Sequence, residues 1–277
     1  MGVKCAALLP HPPIVIEEIG GRELKKAEKT VQGFKKTAAE IAEFKNELDL
    51  IVFITPHGPV FRSTASLIIK DQLEGDFGDF GFSKLKFKEK SDTNFAEKLL
   101  ANTGEKNLAL QALRKDDLVN YGIDQELDHG IMVPLNYLEK SGIKKPLLPI
   151  SIGFISYQEL YKIGKEIART AVELDYKIAV IASGDLSHRL KKGAPAGYNS
   201  EAHIFDEKLI EYFKAKDFDS ILNFDQKLVE KAGECGLRPI VTMLGALNNL
   251  EVELKVNSYE GPFGVGYGTI FIKAESI

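Results

Sequence analysis

The segment Asp49–Thr55, read Asp-Leu-Ile-Val-Phe-Ile-Thr, constrains the fold more than any other stretch of the chain. An apolar run of strand length has no polar face to give to water, so it predicts a central strand covered on both sides. What precedes it tightens the choice. Residues Arg22–Leu48 place Leu24, Ala27, Val31, Phe34, Ala38, Ile41, Phe44 and Leu48 mostly three or four apart, which predicts an amphipathic helix. Before that, Val3–Leu9 reads as a short strand stopped by Pro10-His11-Pro12-Pro13, because consecutive prolines forbid a strand interior. Strand, helix, strand is the grammar of a parallel α/β sheet.

The same grammar continues. Buried strands are expected at Leu147–Gly153 and Lys177–Ser183, separated by a long amphipathic helix over Tyr157–Leu174. Shorter strands at Ser66–Lys70 and Lys84–Lys88 flank a Gly/Asp-rich turn, Glu74–Gly81. A helix over Thr93–Asn102 follows the candidate caps Ser91 and Asp92. The polar loop Asp124–Gly130 leads into a helix over Ile131–Lys140, and Ser200–Leu250 reads as mostly helical. Glu251–Tyr259 and Tyr267–Lys273 close the chain as strands. No repeat, linker or break in composition divides the 277 residues. The expectation is one α/β domain, 1–277, with a central, mostly parallel sheet flanked by helices.

Composition removes several classes of function. With 36 Lys+Arg against 40 Asp+Glu the net charge is −4, which argues against a nucleic-acid partner. Cys5 and Cys235 lie too far apart in sequence for a redox pair or a structural zinc motif. No apolar run approaches the ~18 residues of a membrane span. Cys5–Pro10 is too short for a signal peptide and lacks its basic n-region and cleavage site. A cytoplasmic protein without a membrane partner is expected.

Three of the five histidines, His11, His57 and His188, directly follow a predicted buried strand. The carboxyl ends of strands are where open α/β sheets bind ligands. Imidazole both ligates metals and titrates near neutral pH, so these residues suit metal binding or acid–base work. The flanking prolines of His11 and His57 stiffen the backbone that presents them. No Gly-x-Ser-x-Gly elbow supports a nucleophilic triad. The carboxylates in loop-like settings are Asp128, Asp185 and Glu234. In Gly233-Glu234-Cys235-Gly236 the glycines let the carboxylate turn inward; equally, Glu234 suits the start of the next helix, where negative charge meets the dipole. Asp185, three residues before His188, is placed to orient its ring. Arg189, Lys191, Lys192 and Arg238 form a basic set suited to a substrate carboxylate, and His203, outside any motif, reads as a surface residue.

Five motifs appear in order: Leu9-Pro10-His11-Pro12-Pro13, Thr55-Pro56-His57-Gly58-Pro59, Asp128-His129-Gly130, Ser183-Gly184-Asp185-Leu186-Ser187-His188 and Glu234-Cys235-Gly236-Leu237-Arg238-Pro239. Together they resemble the class III extradiol ring-cleavage dioxygenase superfamily, which includes the LigB-like subunits of protocatechuate-cleaving enzymes and the Memo-like proteins. The closing Ser-Tyr-Glu-Gly-Pro-Phe-Gly-Val-Gly-Tyr, Ser258–Tyr267, is most similar to proteins of the AmmeMemoRadiSam system. The resemblance runs from residue 3 to about residue 272 and implies a LigB-like fold.

It also implies roles. His11, His57 and Glu234 match the ligands of a non-haem Fe(II), a two-His-one-carboxylate set with open positions. His188 matches the base that takes a proton from catechol, His129 the histidine that holds substrate or its intermediate, and Asp185 a supporting catalytic residue. In the Memo-like branch the cysteine matching Cys235 lies close to the metal, with histidines matching His11, His57 and His188. Cys235 and His188 are therefore alternative ligands, and zinc or another divalent metal an alternative to iron. The activity implied is Fe(II)-dependent extradiol cleavage of a catechol-like substrate by dioxygen. The alternative is a Memo-like metal-binding protein that works with a radical-SAM partner and opens no ring. A metal-dependent hydrolase is a third reading. The superfamily also implies a homo-oligomer.

Overall fold

Alternation along the apolar strands divides the core in two. In β1 (Gly2–Leu9), Ala6 and Leu8 join one buried cluster while Cys5, Ala7 and Leu9 join the other. In β2 (Leu50–Thr55), Leu50, Val52 and Ile54 lie on the first face and Ile51 and Phe53 on the second. A strand buried on both faces needs a layer on each side, and helices supply both. Tyr157–Glu173 and Leu237–Ala246 pack on one another and cover the first face; Glu28–Ala42 and His129–Lys140 cover the second. The structure, a computed structural model, describes residues 2–275.

The remaining strands are β3 (Ala65–Ile68), β4 (Gln72–Phe77), β5 (Phe82–Lys90), β6 (Leu110–Leu113), β7 (Leu147–Ser151), β8 (Lys177–Ser183), β9 (Glu251–Glu260) and β10 (Tyr267–Glu275). One eight-stranded sheet runs β6-β3-β7-β2-β8-β1-β10-β9. Its centre, β7-β2-β8-β1, is parallel throughout. The parallel pair β6-β3 meets β7 antiparallel, and β10 is antiparallel to both β1 and β9. This is the single α/β domain with a mostly parallel sheet that the sequence predicts. Its consequence for function is positional. Strands β2, β8 and β1 are neighbours, so their carboxyl ends open side by side.

Two local expectations fail and one strand goes unpredicted. The 22–48 helix is shorter than its apolar spacing suggests: the chain is 3-10 helical over Gly21–Ala27 and α-helical only over Glu28–Ala42. Turns then carry the apolar pattern on, burying Leu48 and setting Phe44 against Phe271 at 6.5 Å. The Glu74–Gly81 region is mostly strand, because β4 pairs antiparallel with β5 in a hairpin outside the main sheet. Only Leu73, Gly75 and Phe77 of β4 are buried, so its polar outer positions hide the strand. Finally, β6 spans four residues, only the last of them buried, and leaves no periodic signal.

Asp206, fully buried in the Ala202–Ala215 helix, ties the last strands to the loop after β8. It accepts the Ser187 N–H and the Tyr259 hydroxyl, each at 2.8 Å. Burial nevertheless pushes its carboxyl up to about 7. Between the ordinary carboxylate range and pH 7 the folded chain therefore keeps a proton that the unfolded chain has lost, and this contribution to stability falls as pH rises. Asp206→Asn removes that slope. Urea unfolding at pH 5 and pH 8 is expected to show the parent losing, relative to the variant, on the order of 2 kcal/mol. A constant difference between the two proteins would contradict the assignment.

Candidate metal centre

The turns after β1, β2 and β8 bring the predicted histidines together. His11 is buried; its Nε2 lies 2.8 Å from His57 Nε2 and 3.5 Å from Cys235 Sγ. Among the described residues, His11, His57 and Cys235 form a group whose donor atoms all lie within 4.8 Å of one another. His188 Nε2 stands 3.7 Å from the same sulfur. The His129 ring, at the start of its helix, lies 4.2 Å from that of His57 and 5.4 Å from that of His11, centroid to centroid. His203 is exposed on its helix, as expected.

Hydrogen bonding fixes the His11 tautomer. Ser183, the last residue of β8, gives its hydroxyl proton to the Gly130 carbonyl at 2.5 Å. Its oxygen, 2.9 Å from His11 Nδ1, must therefore accept the Nδ1–H. In the neutral ring this leaves the Nε2 lone pair facing His57 and Cys235, the arrangement that second-sphere partners impose on ligating histidines. Ser183→Ala strands the Nδ1–H without a partner and is expected to weaken metal binding about 10–100-fold. Titration with zinc against a competing chelator measures this; parent affinity in the variant would remove Ser183 from the role.

The site lacks a positive charge of its own. Burial, reinforced by its neighbouring histidines, holds His11 well below the ordinary imidazole range. Burial likewise lowers His57, to about 4, and lowers His129 and His188. The acids shift the other way: burial pushes Asp185 and Glu234 up to about 7 and Asp128 to about 6. The Cys235 thiol is raised by burial and by Asp185 and Glu234. Neutral imidazoles and a thiol are what a cation would satisfy, and its charge would reverse the thiol's shift. The donors present fit a divalent transition metal.

The predicted acids take different positions. Asp185 Oδ1 accepts the His11 backbone N–H at 2.9 Å; among the described residues no hydrogen bond joins it to the His188 ring, so it steadies His11 instead. Glu234 is outside the His11–His57–Cys235 group, and its Oε2 accepts the Leu237 N–H at 2.6 Å, at the start of Leu237–Ala246. Three of the four basic residues make hydrogen bonds to backbone carbonyls. Arg238 donates to the Gly153 and Ile155 carbonyls, Lys191 to Pro262 and Arg189 to Glu230. Sequence reading passed over Ser183 and Thr55, whose hydroxyl donates to Asp128 Oδ1 at 2.9 Å. Both were visible as the polar last residue of an otherwise apolar strand.

A family profile described as the catalytic LigB subunit of aromatic ring-opening dioxygenase matches residues 5–270. The chain belongs to the LigB family. Within and around that family, a Clostridium acetobutylicum protein is 35% identical over 269 residues, which make up 97% of this LigB-family chain and 57% of that protein. A MEMO1 family protein of Methanocaldococcus jannaschii is 27% identical over 145 residues, 50% of this chain and 47% of the relative. The chain thus spans little more than half the length of the Clostridium protein. The Escherichia coli 3,4-dihydroxyphenylacetate 2,3-dioxygenase is 23% identical over 262 residues, covering 87% of this chain and 89% of the enzyme. Among solved structures, an uncharacterized protein of Escherichia coli K12 superposes with a TM-score of 0.63 at 14% identity, covering 97% and 99% of the two chains. That likeness concerns the fold alone.

Proposed function

We propose that this chain is a divalent-metal protein of the LigB/Memo type, with ferrous iron held by His11, His57 and Cys235. His129 and His188 flank the place of a chelating, catechol-like substrate. The observation that carries the reading is the His11 tautomer: Ser183 turns the Nε2 lone pair toward the other two donors. A bound Fe(II) supplies Lewis acidity and open positions for oxygen donors. The residues of the chain do the rest. The His188 ring, which burial holds below the ordinary imidazole range, is suited to take the proton of a catechol hydroxyl. His129, beside His57, offers a second neutral ring against the substrate. Asp185 and Ser183 hold His11 in place from its backbone and its Nδ1.

A second reading is favoured by Cys235 standing with the imidazoles where Glu234 does not. Thiolate and imidazole donors also suit zinc and copper, and fit a Memo-like protein that works with a radical-SAM partner and opens no ring. Anaerobic loading with Fe(II), followed by nitric oxide with and without catechol, separates the readings. The first expects catechol to change the iron–nitrosyl spectrum and a ring-opened product to form in air. Stoichiometric metal with neither response supports the second, and absence of metal binding would sink both.

A further inference from the structure

The β4-β5 hairpin stands outside the sheet, yet its tip reaches His129, beside the candidate metal donors. Phe80, in the tip turn Gly78–Phe80, meets the His129 ring at 5.3 Å, edge to face. His129 in turn lies against His57. Aromatic rings thus run in line from the surface to the candidate metal donors. Phe80 is 41% exposed, so its ring is not there to fill the core. The buried Phe77, 6.0 Å from Phe80 and 5.9 Å from Phe87, already anchors the tip.

The hairpin is fastened to the loop that carries His129. The Glu126 and Leu127 N–H groups both donate to the Glu74 carbonyl, at 3.0 and 3.1 Å. The Asp76 N–H donates to Gln125 Oε1 at 2.7 Å, and Glu126 accepts from the Glu74 N–H and from Lys70. A Cβ at Gly75 would sit 2.4 Å from the Leu127 carbonyl oxygen, so glycine there allows the two segments their contact. Residues 125–127 run directly into Asp128-His129, so the bonds that fasten the hairpin also set Phe80 against His129.

We infer that Phe80 is a specificity-determining residue: with His129 it forms an aromatic wall that takes the face of a planar aromatic substrate chelated at the metal centre. The inference rests on the proposed reading of that site and adds to it the residue that selects for an aromatic ring. An aromatic ring packs against Phe80, whereas an aliphatic chelator with the same donor atoms gains nothing from it.

The test uses the chain loaded anaerobically with Fe(II), titrated with nitrocatechol by absorbance and with oxalate by competition. Phe80→Ala is expected to keep the parent metal content, weaken nitrocatechol about fivefold, as loss of one aromatic contact of ~1 kcal/mol predicts, and leave oxalate unchanged. Phe80→Tyr restores the parent affinity. Equal nitrocatechol affinity in parent and Phe80→Ala, or an equal loss of oxalate, overturns the inference while leaving the metal centre standing. Oxalate binding without nitrocatechol binding in the parent overturns the substrate class itself, and absence of iron uptake overturns the underlying reading.

Discussion

Cys235→Ala is expected to lower affinity for Zn(II) or Fe(II) by more than about 100-fold, beyond what loss of a second-sphere partner costs, while Glu234→Gln leaves it within a few fold. The two residues are neighbours in one turn but do different work. The Cys235 sulfur faces the His11 and His188 rings. The Glu234 carboxylate holds the Leu237 N–H, and glutamine keeps an oxygen for that bond. Glu234→Gln should therefore cost less than the ~0.5–2 kcal/mol of a lost helix cap. Burial keeps the metal-free thiol protonated at neutral pH. Metal uptake by Cys235 accordingly releases a proton, and affinity in the parent rises with pH. Calorimetric titration in two buffers of different ionisation enthalpy reads both quantities. A loss confined to Glu234→Gln would transfer the ligand role to the carboxylate.

Gly184→Ala is expected to destabilise the fold by about 3 kcal/mol, the upper range for overpacking, and to cost at least about tenfold in metal affinity. Gly184 follows β8 and ties it to β1 by donating its N–H to the Leu9 carbonyl at 3.0 Å. A Cβ there would stand 2.3 Å from Gly236 Cα, backbone against backbone, with no flexible side chain to yield. Relief requires the turn of residues 184–188 to part from that of residues 234–236. That movement carries Cys235 away from His11, since the Asp185 N–H points at the sulfur from 3.3 Å. Gly193→Ala is the control. Gly193 has a φ of +83° and open space around it, so alanine adds backbone strain without collision and costs about 1 kcal/mol. Its metal affinity should match the parent. Chemical denaturation and metal titration of the pair check both claims; parent-like values for Gly184→Ala would mean that the turns part without consequence.

The sequence carried the frame of the site because the frame is local. An apolar strand followed by proline and histidine shows where a strand ends and what stands there, and His11 and His57 stand there. The choice between Glu234 and Cys235 was not legible. In an irregular turn, side-chain direction follows backbone angles such as the +61° φ of Gly233, and no periodicity encodes them. The partners of the basic residues were hidden for a related reason. Arg238 is occupied by carbonyls at residues 153 and 155, more than eighty positions away, and stacks near Phe154 and Tyr157. Such pairings are a property of the folded chain alone. The hairpin strand β4 was hidden because one face of it is polar and the strand is covered on one side only.

The distance in sequence between His11 and Cys235, 224 positions, sets an order of events during synthesis. β1 and β2 can carry both imidazoles long before the sulfur exists, and at the usual pace of translation the interval after His57 is on the order of ten seconds or more. Until then the nascent chain presents two histidines without their third donor. On the proposed ligand set, a ribosome-bound chain arrested ahead of residue 235 is an incomplete chelator, and firm retention of a metal would belong to the late stages of folding.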